Sequence, residues 1–480
     1  MVLKGHTVRK PVNILTDDQV ERIHWGSLEV LEKTGVKFEH DGALKIFEEA
    51  GCNVDHKEQR VRFPPYLVEE CLRKCPSSFT VKARESKNDL RLGGRTLYFI
   101  TTVGMETLDV DTGARKTPTV EEAADAVKVL DALDEIHIAM CPYFNMVGVS
   151  PIMAIPIKTS ISIKNTSKFA CYGVTVMDAD IWERKMADAT NQDIIGLIST
   201  SPPLTIGEGA ITSYIRYAEA GNGTSACSGL NFGGSSPATL AGSLVLNNAE
   251  LMSCLVLAQL VNPGVRFQAV NYSQPMDMRT GQALLGAVEK GIAGMAFVQM
   301  WRHYAIPTLT FTFTDSKIPD YQCAYEKAIN TAIQVMAGPN VYSCVGSVYD
   351  ELTWSPIVAA MDNDILGMTA RILDGIDVTD ETLAIDLIEE VGPIPGHYLN
   401  REHTRLWWKK EQFVPKLAHK GSHPEWIKEG SKSIVERAKE WVEEILATHE
   451  PTPLPDDQEK EIDNILKEAE QFYKEKGMLF

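Results

Sequence analysis

The stretch Thr308-Leu309-Thr310-Phe311-Thr312-Phe313 is short, apolar and β-branched, and residues 321–336 after it carry apolar side chains at helical spacing. Val341-Tyr342-Ser343-Cys344-Val345 then repeats the first pattern. Strand, helix, strand in this order reads as two parallel strands joined by a crossover helix. Further out, comparable apolar runs stand at 97–101, 136–141, 169–174, 194–198, 224–229 and 265–270, with helical patterns at 120–133, 182–191, 240–260 and 282–300 between them. The runs then number eight, which is how many parallel strands close a (β/α)8 TIM barrel of the α/β class. The expected organisation is a mainly helical N-terminal extension over 1–90, a barrel core over 91–375, and a helical C-terminal extension and tail over 376–480. Residues 16–34 and 65–74 supply helices of the first part. Residues 356–374, 379–388 and the charge-rich 456–476 supply those of the last.

The 480 residues are 44% hydrophobic and 23% charged, an ordinary globular mixture that excludes disorder and coiled coil. With 47 basic against 65 acidic residues the formal net charge is -18, which argues against a nucleic-acid partner and favours a cationic substrate or a basic protein partner. Nine scattered cysteines, with no apolar leader after Met1, read as buried reduced thiols of a cytoplasmic protein. The uncharged stretches 136–157 and 220–249 are broken by Pro, Gly, Asn and Ser, so neither is expected to span a membrane.

The familiar motifs are missing. No phosphate-binding loop, nucleophile elbow or zinc-ligand run occurs. Cys71 and Cys75 share a helix without a histidine partner, and His397 and His403 beside Glu402 lack a third ligand, so no metal is expected. Residues 229–237 follow the fifth strand and read equally as an amide cradle for an anion or a tight turn. What does recur at the carboxyl ends of the strands is aromatic. Phe99, Tyr143, Phe232, Tyr272, Phe313, Tyr349 and Trp354 are the expected substrate-binding rings, with Phe311 beside Phe313. Such rings attract a quaternary ammonium through their quadrupoles, although any one of them also fits core packing. Lys317, after the seventh strand, is placed to face a carboxylate or to pair with Asp315 or Asp320. No paired acid and base stand at the strand ends, so no catalytic residue is assigned and no general acid is expected.

Several segments together carry a resemblance. They are Asp277-Met278-Arg279-Thr280-Gly281, Asp315-Ser316-Lys317 with Gln322 and Tyr325-Glu326-Lys327, Gly396-His397-Tyr398-Leu399 with Glu402-His403-Thr404, and residues 235–242 with Asn248-Ala249-Glu250. In this order and spacing the chain resembles the trimethylamine methyltransferase (MttB) family from about residue 12 to 425. That resemblance implies a TIM barrel that passes a methyl group from an amine to the cob(I)alamin of a separate corrinoid protein, with no tightly bound cofactor of its own. Archaeal trimethylamine members carry pyrrolysine in the barrel, whereas this chain has only standard residues. The departure points to the branch without pyrrolysine, whose members use quaternary amines such as glycine betaine. The expected activity is therefore glycine betaine:corrinoid methyl transfer giving dimethylglycine. Carnitine, proline betaine or γ-butyrobetaine as substrate, or a quaternary-amine binding protein without turnover, are the alternatives. Homo-oligomer formation stays open.

Overall fold

Seven of the eight expected runs form parallel strands in the computed structural model, which describes residues 5–479. The opening Met1-Val2-Leu3-Lys4, read above for a leader, lies outside them. The strands are β1 (Thr96–Thr101), β2 (Tyr172–Val174), β3 (Ile195–Ser199), β4 (Gly223–Ser228), β5 (Phe267–Asn271), β6 (Thr308–Phe311) and β7 (Val341–Val345). They pair in the order β1-β7-β6-β5-β4-β3-β2, and His6–Thr7 adds an antiparallel strand on β1. The result is a curled, mostly parallel eight-stranded sheet.

The run at 136–141 corrects the expectation of a regular eighth parallel strand. Only Ile138 pairs there, bridging Ile100 on one side and Phe169 on the other. The ladder cannot run on, because the Cys141 N–H donates to Ser162 Oγ at 2.9 Å and Pro142 has no N–H to give.

Helices follow the strands in turn: α1 (Val120–Ala132), α2 (Ala154–Asn165), α3 (Ala179–Ala189), α4 (Glu208–Glu219), α5 (Leu240–Val261), α6 (Val288–His303), α7 (Tyr321–Ala337) and α8 (Pro356–Asp374). Their starts are legible in the side chains. Thr119 and Glu122 form a reciprocal capping box on α1, and Asp320 accepts from the Cys323 N–H at 2.9 Å on α7. The 22-residue α5 is long and apolar enough to cross a membrane, yet most of it is buried inside the protein. It packs on β4 and β5 from one side and on the N-terminal helices from another, so it has no polar face to show.

Alternation along the strands divides two layers. Tyr98, Ile100, Leu309, Val341, Val270 and Cys227 meet in one apolar cluster on the concave side of the sheet. Leu97, Phe99, Tyr342 and Cys344 point the other way, into the layer beneath α1 and α8. The N-terminal segment holds short strands as well as helices. Val36–Phe38, Asn53–Asp55 and Arg60–Arg62 make a small sheet, which Thr205–Ile206 from the loop after β3 extends. Three-residue strands are too short to show alternation, so the sequence pattern hid them. At the other end, Asp456–Glu475 buries Ile462, Ile465, Ala469 and Tyr473, and Tyr473 Oη donates to the Met177 carbonyl at 2.8 Å.

Candidate active site

The carboxyl ends of the strands are fastened by charged side chains that arrive from the helices. Glu183 on α3 accepts from the Val174 N–H at 2.9 Å and from Tyr217 Oη at 3.1 Å. Glu250 on α5 accepts from Thr200 Oγ1, Ser228 Oγ and the Leu204 N–H at 2.6, 2.7 and 2.7 Å. Glu326 on α7 holds Thr314 Oγ1 and the Asp315 N–H at 2.6 and 2.8 Å. Asp362 on α8 takes the Gly346 N–H at 2.7 Å, and its ion-pair partner Lys327 donates to the Ser347 carbonyl at 2.7 Å. Burial raises the carboxyls of Glu183, Glu250 and Asp362, that of Glu183 to about 7, against the opposing pull of these donors. Each acid satisfies backbone or hydroxyl groups that a buried loop would otherwise leave unpaired.

Within that rim three rings converge. Tyr272 lies 5.1 Å from Phe311 and 5.4 Å from Phe313, edge to face, while Phe311 and Phe313 stack at 5.9 Å with planes 5° apart. Phe313 is fully buried, whereas Tyr272 and Phe311 keep a partly exposed edge. Tyr272 Oη is buried without a hydrogen-bond partner among the described residues. Lys290 of α6 brings its Nζ to 5.1 Å from the Tyr272 ring centre and 5.8 Å from that of Phe313. Burial pulls its ammonium down to about 7. The buried Cys227 thiol, facing the same concave side, is pushed up to about 12 by desolvation.

The expected rings do not all meet. Tyr272 and Phe313 do, and Phe232 joins the same rim by pairing beside Pro275. Tyr143 carries the Nζ of buried Lys158 at 4.0 Å, on the loop before α2. Tyr349 lies between Lys317 and Arg115, each 4.9 Å from its ring centre. Lys317 is exposed and folds back to donate to the Asp315 carbonyl, so its charge is already engaged by its own loop. Phe99 stands in the outer layer against His6, His137 and Tyr342. Trp354 is fully buried, donates from Nε1 to the Val345 carbonyl at 2.9 Å and packs edge-on to Phe144. Neither Phe99 nor Trp354 reaches the Tyr272 cluster.

Sequence reasoning missed Lys290 beside these rings, because a lysine on a helix carries no signal until the fold places it. Among the described residues no group of three or more His, Cys, Asp or Glu is arranged for a metal ion. His397 is exposed and His403 stacks on Trp407. The turn at 231–236 spends its amides on itself, through Ser235 N to Asn231 O and Gly233 N to Ser236 O, both 3.0 Å, which favours the tight turn over the anion cradle. Surface hollows of about 540 and 600 Å³, one lined by Arg91, Arg302 and Asn340 and one by His6, Asp131 and His449, lie away from the ring cluster. The aromatic rim, with its unpartnered Tyr272 hydroxyl and a buried amine that has no carboxylate beside it, has the chemistry of a small-molecule site.

The chain is 31% identical to a trimethylamine methyltransferase MttB of Desulfitobacterium hafniense (strain DSM 10664 / DCB-2), with 95% of this chain and 94% of the relative covered. It is 29% identical to a glycine betaine methyltransferase of Desulfitobacterium hafniense (strain Y51), over 92% and 94%. A trimethylamine methyltransferase MttB of Methanosarcina barkeri (strain Fusaro / DSM 804) is 30% identical, over 96% of both chains. The crystal structure of the Methanosarcina barkeri monomethylamine methyltransferase (MtmB) overlays on 97% of this chain and 96% of its own, at 14% identity and a TM-score of 0.46. The family model described as "Trimethylamine methyltransferase (MTTB)" matches residues 4–471, which takes in the rim and its helix-borne acids, and so the chain belongs to that family.

Proposed function

We propose that this protein takes a methyl group from a quaternary amine, with glycine betaine as the substrate, and passes it to the corrinoid of a separate protein. The observation that carries the reading is the cluster at the carboxyl ends of β5 and β6, where the partly exposed rings of Tyr272 and Phe311, backed by buried Phe313, offer aromatic surface to a methylated cation. Tyr143, Phe232 and Tyr349 stand on neighbouring loops of the same rim. The bridges at Ile138, from Ile100 and to Phe169, support closure of the sheet into a (β/α)8 barrel, whose carboxyl face is the usual seat of catalysis. Nine buried, unpaired cysteines agree with a cytoplasmic protein.

A reduced corrinoid supplies the nucleophile that accepts the methyl group. The chain's own residues bind, orient and keep water out. In a quaternary amine the C–N bond breaks with its electron pair going to nitrogen, so dimethylglycine departs as a neutral amine and needs no proton from the protein. Holding the nitrogen against the ring faces leaves one methyl directed outward, toward the partly exposed edges of Tyr272 and Phe311. There a methyl acceptor borne on another protein gains access. The test is methyl transfer to a Co(I) corrinoid protein, followed by loss of the Co(I) absorbance and appearance of dimethylglycine. Absence of transfer from glycine betaine, carnitine, proline betaine and γ-butyrobetaine alike would overturn the reading.

A further inference from the structure

Four lysines are buried among the described residues, and only Lys327 has a carboxylate partner; Lys158 overlies the Tyr143 ring at 4.0 Å. Lys327 sits on Asp362 at 2.6 Å, and Lys168 donates to two carbonyls at 3.0 and 2.9 Å. Lys290, only 1% exposed, reaches the Ser273 carbonyl and Gln274 Oε1 at 3.3 and 3.4 Å, and has no carboxylate within 4 Å among the described residues. An ammonium without a counter-ion in such a place either sheds its proton or awaits an anion. Tyr272 Oη, also buried and unpartnered, belongs to the ring that Lys290 overlies.

A second charge is unspent at the same rim. Glu351, on the loop between β7 and α8, is partly buried, and its carboxylate makes no hydrogen bond or ion pair among the described residues. The two residues before it are held in the left-handed region, Tyr349 at φ 53° and Asp350 at φ 61°. Hydrogen bonds from the Tyr349 N–H to Ser316 O and from the Asp350 N–H to Thr314 O, at 2.7 and 2.8 Å, hold them there. Backbone of this kind persists where the surroundings over-determine it, and it aims Glu351. These bonds seat the Glu351 loop against the residues that follow Phe313, a ring that Lys290 also overlies at 5.8 Å.

We propose that Lys290 and Glu351 are the two poles of the substrate subsite, Lys290 with Tyr272 Oη taking a carboxylate and Glu351 with the rings facing the quaternary nitrogen. The site then selects zwitterions over simple cations. This rests on the function proposed above and assigns to Lys290 the carboxylate contact expected of Lys317 from its position after the seventh strand.

The experiment is calorimetric titration of the full-length protein with glycine betaine and with choline, which lacks the carboxylate, alongside Co(I) methyl-transfer assays. The wild-type protein should prefer betaine at least tenfold. Lys290→Met should cut the betaine-to-choline affinity ratio at least tenfold, and Glu351→Gln should weaken both ligands while keeping the ratio. Equal wild-type affinities overturn the proposal even where a variant does not fold, as does an unaltered ratio in Lys290→Met. Methyl transfer without a Lys290-dependent preference leaves the proposed function standing and removes the poles. A Lys290-dependent preference without transfer from any betaine does the reverse.

Discussion

The Nζ of Lys327 stands 2.6 Å from a carboxylate oxygen of Asp362, with both side chains sealed from solvent. The pair also holds Gly346 and Ser347 by their backbone, so it secures the carboxyl end of β7. Removing one partner leaves the other charge buried alone, at a cost of about 3–5 kcal/mol. Lys327→Met should therefore lower the thermal midpoint sharply, and the double variant Lys327→Met/Asp362→Leu should recover most of the loss. A single variant as stable as the parent would show that the pair has no structural role.

Tyr272 and Trp354 should respond differently to truncation. Tyr272→Ala removes a ring face from a site with a cation to hold, and should weaken glycine betaine binding about thirtyfold, the equivalent of about 2 kcal/mol for a desolvated cation–π contact. Trp354→Ala empties a core position, where about 3–5 kcal/mol of stability is at stake. Affinity and thermal midpoint measured side by side decide it. A loss of affinity in Trp354→Ala without loss of stability would return that ring to the site.

Burial lowers the Lys290 ammonium from its ordinary 10.5 to about 7, with Cys227 and Asp315 the charged or titratable groups that oppose the shift. Between those values the unfolded chain holds more protons than the folded one, so stability rises with pH across the window. Below about pH 7 the penalty of the buried charge is fully present, and it fades as pH climbs toward 10.5. Lys290→Met should accordingly stabilise the free protein more at pH 6 than at pH 9. Thermal midpoints at the two values check this, and a gain that does not shrink with pH would mean Lys290 is not the titrating group.

The leaving group separates substrates. Glycine betaine should transfer a methyl to the Co(I) corrinoid protein, whereas neutral trimethylamine or dimethylglycine would have to expel an amide anion and should give no detectable transfer. Rates on betaine from about pH 6 to 9 should show no bell set by an essential acid and base. Comparable turnover of trimethylamine, or a loss of betaine activity tracking a single acid, would reopen the search for a proton donor, with His303 the first to substitute.

The strand runs were legible because parallel strands covered on both faces are continuously apolar, as in Val341–Val345. Residues 136–141 have the same composition, but the Cys141 N–H goes to a side chain, a choice composition does not record. The site was half legible for a related reason. Phe99 and Phe313 look alike in sequence, yet the pairing of Phe99 with Tyr342 turns the first into the outer layer, while the second faces Tyr272. A register shift of one residue would exchange such roles, and no local pattern reports it. Lys290 and Glu351 were illegible altogether, since what sets them apart is where the fold buries each, with no opposite charge beside it.

The acids that fasten Val174, Ser228, Asp315 and Gly346 all arrive from helices, so the intervening loop tips are not needed to hold the rim in place. Descendants of such a chain can edit the tips without disturbing their moorings. A change of methylated amine then becomes a matter of a few exposed positions, open to selection one substitution at a time. A change at a mooring would instead be felt first as lost folding, whatever it did for recognition.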